Sequence, residues 1–111
     1  MIELNNENFQ DEVINFSQKP VFVDFWGEKC EICKALKPGV ELLEKKYNDK
    51  IKFAMLNTTE FRKLAISKKV LGLPTMIIYK SGIKENSITP DKISTVEDIE
   101  NFIREVYDTL D

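Results

Sequence analysis

Val21-Phe22-Val23-Asp24-Phe25-Trp26-Gly27-Glu28-Lys29-Cys30-Glu31-Ile32-Cys33-Lys34-Ala35-Leu36-Lys37-Pro38 is the stretch on which the reading of this chain turns. Its first six residues are apolar but for one acid, the pattern of a central strand covered on both faces. Gly27 then lets the chain turn, and Cys30 and Cys33, the only cysteines present, open a helix. At that spacing, in a first helical turn, the two sulfurs lie on one side and near enough to close a small disulfide ring. The free amides and positive dipole end of the helix, with Lys29 adjacent, favour a thiolate at Cys30. A buried strand that delivers a reactive group to the tip of a helix is a recurrent way to build a site in α/β proteins. The competing reading is a pair of small buried hydrophobes.

Outward from this stretch the pattern alternates. Toward the N-terminus, 1–5 reads as a short first strand. Phe9, Val13 and Phe16 recur at helical spacing over 8–18, with Asn6 or Asn8 as a cap, and Lys19-Pro20 stops that helix. Toward the C-terminus, Leu36, Val40, Leu43 and Tyr47 form the apolar stripe of the cysteine-led helix, whose other faces read as solvated charge. Pro38 lies inside it and predicts a kink, and Asn48-Asp49 ends it. Ile51–Asn57 is the next strand, and Thr58 or Thr59 caps a short helix over 60–67. Leu71-Gly72-Leu73-Pro74 is a turn before the strand 75–79. Ser81-Gly82 is a tight turn into an antiparallel edge strand, 83–89. Thr95 with Asp98 is a capping-box variant opening the last helix, striped by Val96, Ile99, Ile103, Val106 and Leu110. The order is βαβαβαββα, in which strand–helix–strand units pair in parallel and the last hairpin is antiparallel.

The run Asp24-Phe25-Trp26-Gly27-Glu28-Lys29-Cys30-Glu31-Ile32-Cys33-Lys34, then Pro38, then Gly72-Leu73-Pro74-Thr75, resembles a bacterial thioredoxin over nearly the whole chain. The resemblance implies a thioredoxin fold: an α/β domain spanning 1–111, with a central mixed five-stranded sheet in the order 1-3-2-4-5 flanked by four helices. It also implies a protein-disulfide reductase. Cys30 attacks a substrate disulfide, a mixed disulfide forms, and Cys33 resolves it. The family's acid at Asp24 lies beneath the cysteines and assists proton transfer. Its usual lysine neighbour on the adjacent strand is replaced here by Met55, so a raised pKa without a cationic partner is expected at Asp24. Pro74 matches a cis-proline that faces the disulfide. Leu73 and Thr75 border it and offer backbone groups to an extended substrate. Trp26 shields the site, unless it is only core filler.

This chain departs from the family at Glu31-Ile32, where Gly-Pro is usual, at Lys29, where a second tryptophan is common, and at Thr89-Pro90-Asp91, where a glycine lets partners approach. Glu31 beside Cys30 opposes the thiolate that Lys29 and the helix dipole favour. Together Lys29, Glu31 and Ile32 bear on partner choice. The dipeptide and the Lys/Ile/Asn-rich composition resemble thioredoxins of some anaerobic bacteria. Alternatives are a dedicated partner of one reductase or peroxidase, and a thioredoxin-fold binding module with dispensable cysteines.

Composition narrows the rest. The 111 residues are 42% hydrophobic and 32% charged with a net charge of −3, which suits one globular domain and leaves no nucleic-acid footprint. No apolar run is long enough to span a membrane. Met1-Ile2-Glu3-Leu4 lacks signal-peptide character, so a cytoplasmic protein is expected, where a cysteine pair is catalytic rather than structural. There is no histidine, which removes Cys-His catalysis, and two cysteines do not complete a zinc site. No metal or other cofactor is expected. The expected partners are disulfide-containing proteins and a flavin-dependent thioredoxin reductase, acting on a monomer.

Overall fold

The computed structural model describes all residues, 1–111. The sheet is built outward from β2 (Val21–Trp26), which lies in its centre between β3 (Lys52–Asn57) and β4 (Thr75–Lys80). A two-residue β1 (Ile2–Glu3) and β5 (Ile83–Ile88) form the edges, giving the order β1-β3-β2-β4-β5. This is the thioredoxin-fold order the resemblance implied. β1 and β2 run parallel to β3, whereas β4 runs antiparallel to both β2 and β5. The expectation of parallel pairing in every strand–helix–strand unit therefore fails between β3 and β4. β3 ends with Asn57 opposite Trp26, and β4 begins with Thr75 opposite Phe25. The connection thus leaves and rejoins the sheet at the same end, and β4 has to run back.

Alternation along β2 sends Val21, Val23 and Phe25 to one face and Phe22 and Asp24 to the other. On the first face they pack with Phe9, Val13, Ala65 and Val70. On the second, Phe22, Met76 and Ile78 meet Leu36, Val40 and Leu43 of α1 (Glu31–Tyr47) and Ile99, Phe102 and Ile103 of α3 (Val96–Tyr107). Both faces are covered, and β2 is fully buried up to Phe25. The stripe read along α1 is buried in full. In α3 Phe102 joins the core, while Leu110 lies beyond the helix end and is only partly buried.

Two expected helices differ. Over 8–18 there is only a π-helical turn, Gln10–Ile14. The side-chain oxygen of Asn5 accepts the amides of Glu7 and Asn8, and that of Asn8 accepts the amide of Asn5. These local bonds hold 5–8 in turns, and neither Asn6 nor Asn8 caps the helical turn. α2 spans Arg62–Ser67 without a side-chain cap. Thr58 and Thr59 are engaged elsewhere. The hairpin turn and the Thr95–Asp98 capping box form as expected, Asp98 Oδ2 also taking the Ser94 amide. A 3-10 turn, Pro90–Lys92, precedes α3. No helix is long and apolar enough to cross a membrane.

Candidate active site

At the end of β2 the chain turns through 27–30, closed by the Cys30 amide donating to the Gly27 carbonyl at 3.1 Å. Cys30 is the N-cap of α1 in an extended conformation, and its sulfur accepts the Cys33 N–H at 3.3 Å. It thus fills the place usually taken by a Ser or Asp oxygen. Cys30 and Cys33 are joined in a disulfide, their Cα atoms 5.3 Å apart. The pair is asymmetric: Cys30 is half-buried, whereas Cys33 is 5% exposed. Lys29 and Glu31 are exposed on either side of Cys30, and Ile32 is 40% exposed. Lys34, one helical turn on, stands 3.8 Å from Glu31 and offsets part of its charge.

The threonines read as helix caps brace this turn instead. The backbone N–H and the hydroxyl of Thr58 both donate to the Trp26 carbonyl, at 2.7 and 2.9 Å. The Thr59 hydroxyl accepts the Glu28 amide at 2.9 Å. Gly27 was expected for its conformational freedom, yet its φ is one any residue adopts. Space is what it supplies, since a Cβ there would lie 2.8 Å from Leu73 Cδ1 and 3.3 Å from Thr59 Oγ1. The segment before β4 therefore packs directly on the cysteine turn. Its Leu73–Pro74 peptide is cis. Pro74 and Thr75 are buried, Leu73 is half-buried, and the Thr75 hydroxyl donates to the Gly72 carbonyl at 2.6 Å. Pro90 borders the same loop, 3.2 Å from where a Cβ on Gly72 would stand.

Asp24 is 5% exposed, in register with Met55 on β3 and Met76 on β4. It lines a cavity of ≈ 120 Å³ with Trp26, Cys33, Lys34, Lys37 and Met55. Burial pushes its carboxyl up from 3.8 to about 7, and the nearby Lys37 charge pulls the other way. The direction is the one expected. No ion pair forms at Asp24, and the cation that acts on it lies across the cavity on α1 rather than on the adjacent strand. By its charge Lys37 belongs to a solvated face of the helix. It follows Cys33 by four residues, the spacing that stacks side chains on one helix face, and that was the available signal. A second omission is apolar: Leu71 is 88% and Ile66 49% exposed. They line a groove of ≈ 300 Å³ that runs up to Leu73.

The Thioredoxin family model matches residues 1–105. The chain is 43% identical over 104 residues to a thioredoxin of Acetoanaerobium sticklandii, covering 94% of this chain and 97% of that one. It is also 43% identical over 103 residues to a thioredoxin of Peptoclostridium acidaminophilum, covering 93% and 92%. A chloroplastic M-type thioredoxin of Pisum sativum is 32% identical over 104 residues, covering 92% of this chain and 60% of the pea protein. The family acts on disulfide substrates and depends on a reductase to restore its dithiol. With a redox pair at the start of α1 and a match that runs almost end to end, the chain belongs to the thioredoxin family and is a thiol–disulfide oxidoreductase, a disulfide reductase.

Proposed function

We propose that Cys30 is the nucleophile, Cys33 the resolving thiol and Asp24 its proton acceptor. The observation that carries this reading is the asymmetry of the pair: the half-buried Cys30 caps the helix with its sulfur, and the buried Cys33 shares a cavity with a carboxyl. The Cys30 thiolate attacks one sulfur of a substrate disulfide, and the other substrate sulfur leaves as a thiolate. Asp24 then takes the Cys33 proton. The Cys33 thiolate attacks Cys30 Sγ, the bond from Cys30 to the substrate breaks, and the second substrate thiolate departs. Two electrons pass from the dithiol to the substrate, and Asp24 returns its proton to solvent.

Trp26, Lys29, Glu31, Ile32, Leu73, Pro74 and Thr75 border the substrate in this reading, with the backbone beside Pro74 receiving an extended segment. The partner that restores the dithiol is a flavin-dependent thioredoxin reductase, and the chain acts as a cytoplasmic bacterial monomer, one domain over 1–111. The Cys-Glu-Ile-Cys motif tunes partner choice. A binding module with dispensable cysteines is not favoured, nor is a partner dedicated to one reductase or peroxidase. The test uses a disulfide-containing protein substrate with Cys33→Ser, which should accumulate a mixed disulfide on Cys30. Cys30→Ser should form no adduct and lose reduction. An adduct mapped to Cys33 in Cys30→Ser, with turnover retained, overturns the assignment.

A further inference from the structure

Asp24 lines the cavity against three elements. From β3 the facing residue is Met55 and from β4 it is Met76, neither of which titrates. Glu3 on β1 lies one strand further out, in register with Met55. From α1 come Cys33, Lys34 and Lys37. Lys34 is half-exposed and engaged with Glu31 at 3.8 Å. Lys37 is half-buried, and its Nζ stands 5.7 Å from the centroid of the Trp26 ring, within the range of a cation–π contact. The indole thus holds a flexible side chain at the cavity wall.

We propose that Lys37 is a positioning residue for the exchange: braced on Trp26 one turn beyond Cys33, its ammonium sets the charge balance of the cavity in which Asp24 and Cys33 meet. The inference rests on the proposed role of Asp24 as proton acceptor. A buried carboxyl with no cation nearby keeps its proton and accepts none. With the ammonium present, Asp24 retains an ionised fraction near neutral pH and takes the Cys33 proton as Cys33 attacks Cys30 Sγ. The cation that balances the acid thus reaches it from the helix that carries the cysteines, with methionines on both neighbouring strands. The cavity has room for water, through which the proton can pass when the two groups are not in direct contact.

The test follows the Asp24 carboxyl by ¹³C NMR titration in the oxidised protein, and the pH dependence of mixed-disulfide decay in the same variants. Lys37→Met should raise the Asp24 midpoint by about one unit, the low end of what an opposite charge supplies. At pH 7 that lowers the ionised fraction, and the decay rate with it, by about fivefold. Lys37→Arg should keep the midpoint, and adding Met55→Lys to Lys37→Met should bring it back from the strand side. A midpoint that stays in place in folded Lys37→Met overturns the positioning role. If the midpoint moves but decay does not follow it, the acceptor role of Asp24 falls, and the proposal with it.

Discussion

Asp24 releases its proton near pH 7 in the folded chain and near 3.8 when unfolded. Between those values the native state holds more protons than the unfolded one, so stability falls as pH rises through the window. The contribution is fully present below pH 3.8 and gone above 7. Three units correspond to a loss on the order of 4 kcal/mol. Asp24→Asn, which cannot ionise, should be more stable than the native chain at pH 8 by about 2–4 kcal/mol. The slope between pH 4 and 7 should largely vanish from urea denaturation curves, and a slope that persists would place its origin elsewhere. The odd acid in an apolar strand made Asp24 legible in the sequence, as the spacing and helix position did for the cysteines. Lys37 was only half legible: its spacing from Cys33 puts it on the cysteine face of the helix, but not where its charge ends up. Periodicity assigns a residue to a face by its Cα, whereas a lysine stem of four carbons lies along apolar surface and carries its charge elsewhere.

The elements that read best are those whose local chemistry has no rival. Ser81 and Gly82 both take positive φ, 51° and 80°, as a two-residue hairpin between twisted strands requires. A Cβ on Gly82 would also lie 2.4 Å from the Ile14 carbonyl oxygen, so the hairpin tip is pressed against the end of the π turn. Gly82→Ala should therefore cost about 1–3 kcal/mol, more than lost glycine flexibility explains, in chemical denaturation. A neutral result would mean that the 10–14 turn yields freely. Where two local choices compete, the sequence misleads. Asn5 and Asn8 tie each other's backbone into turns and shorten a helix that Phe9, Val13 and Phe16 mark correctly as apolar. Thr58 and Thr59 have the chemistry of caps but find better acceptors and donors in the Trp26 and Glu28 backbone.

For the molecule as a whole, the sheet separates two apolar layers, one under α1 and α3 and one under the π turn and α2. Strand order was carried by the family resemblance and not by periodicity, which cannot report which strands touch. The pattern alone also gave the wrong direction for β4. Because the layers share only the backbone between them, they should respond independently to small deletions. Ile103→Val, in the first layer, and Ile77→Val, in the second, should each cost about 1 kcal/mol. The double variant should match their sum within about 0.5 kcal/mol. Coupling beyond that would show that β4 shifts as a body when either side is thinned.

The sulfur of Cys30 caps the helix through the Cys33 amide, and this gives the redox state a mechanical meaning. A disulfide sulfur is a weak acceptor and a thiolate a strong, charge-assisted one. Gaining electrons therefore tightens the first turn of α1 even as it opens the covalent ring, and losing them slackens that turn while the ring closes. One restraint is exchanged for another at the same place.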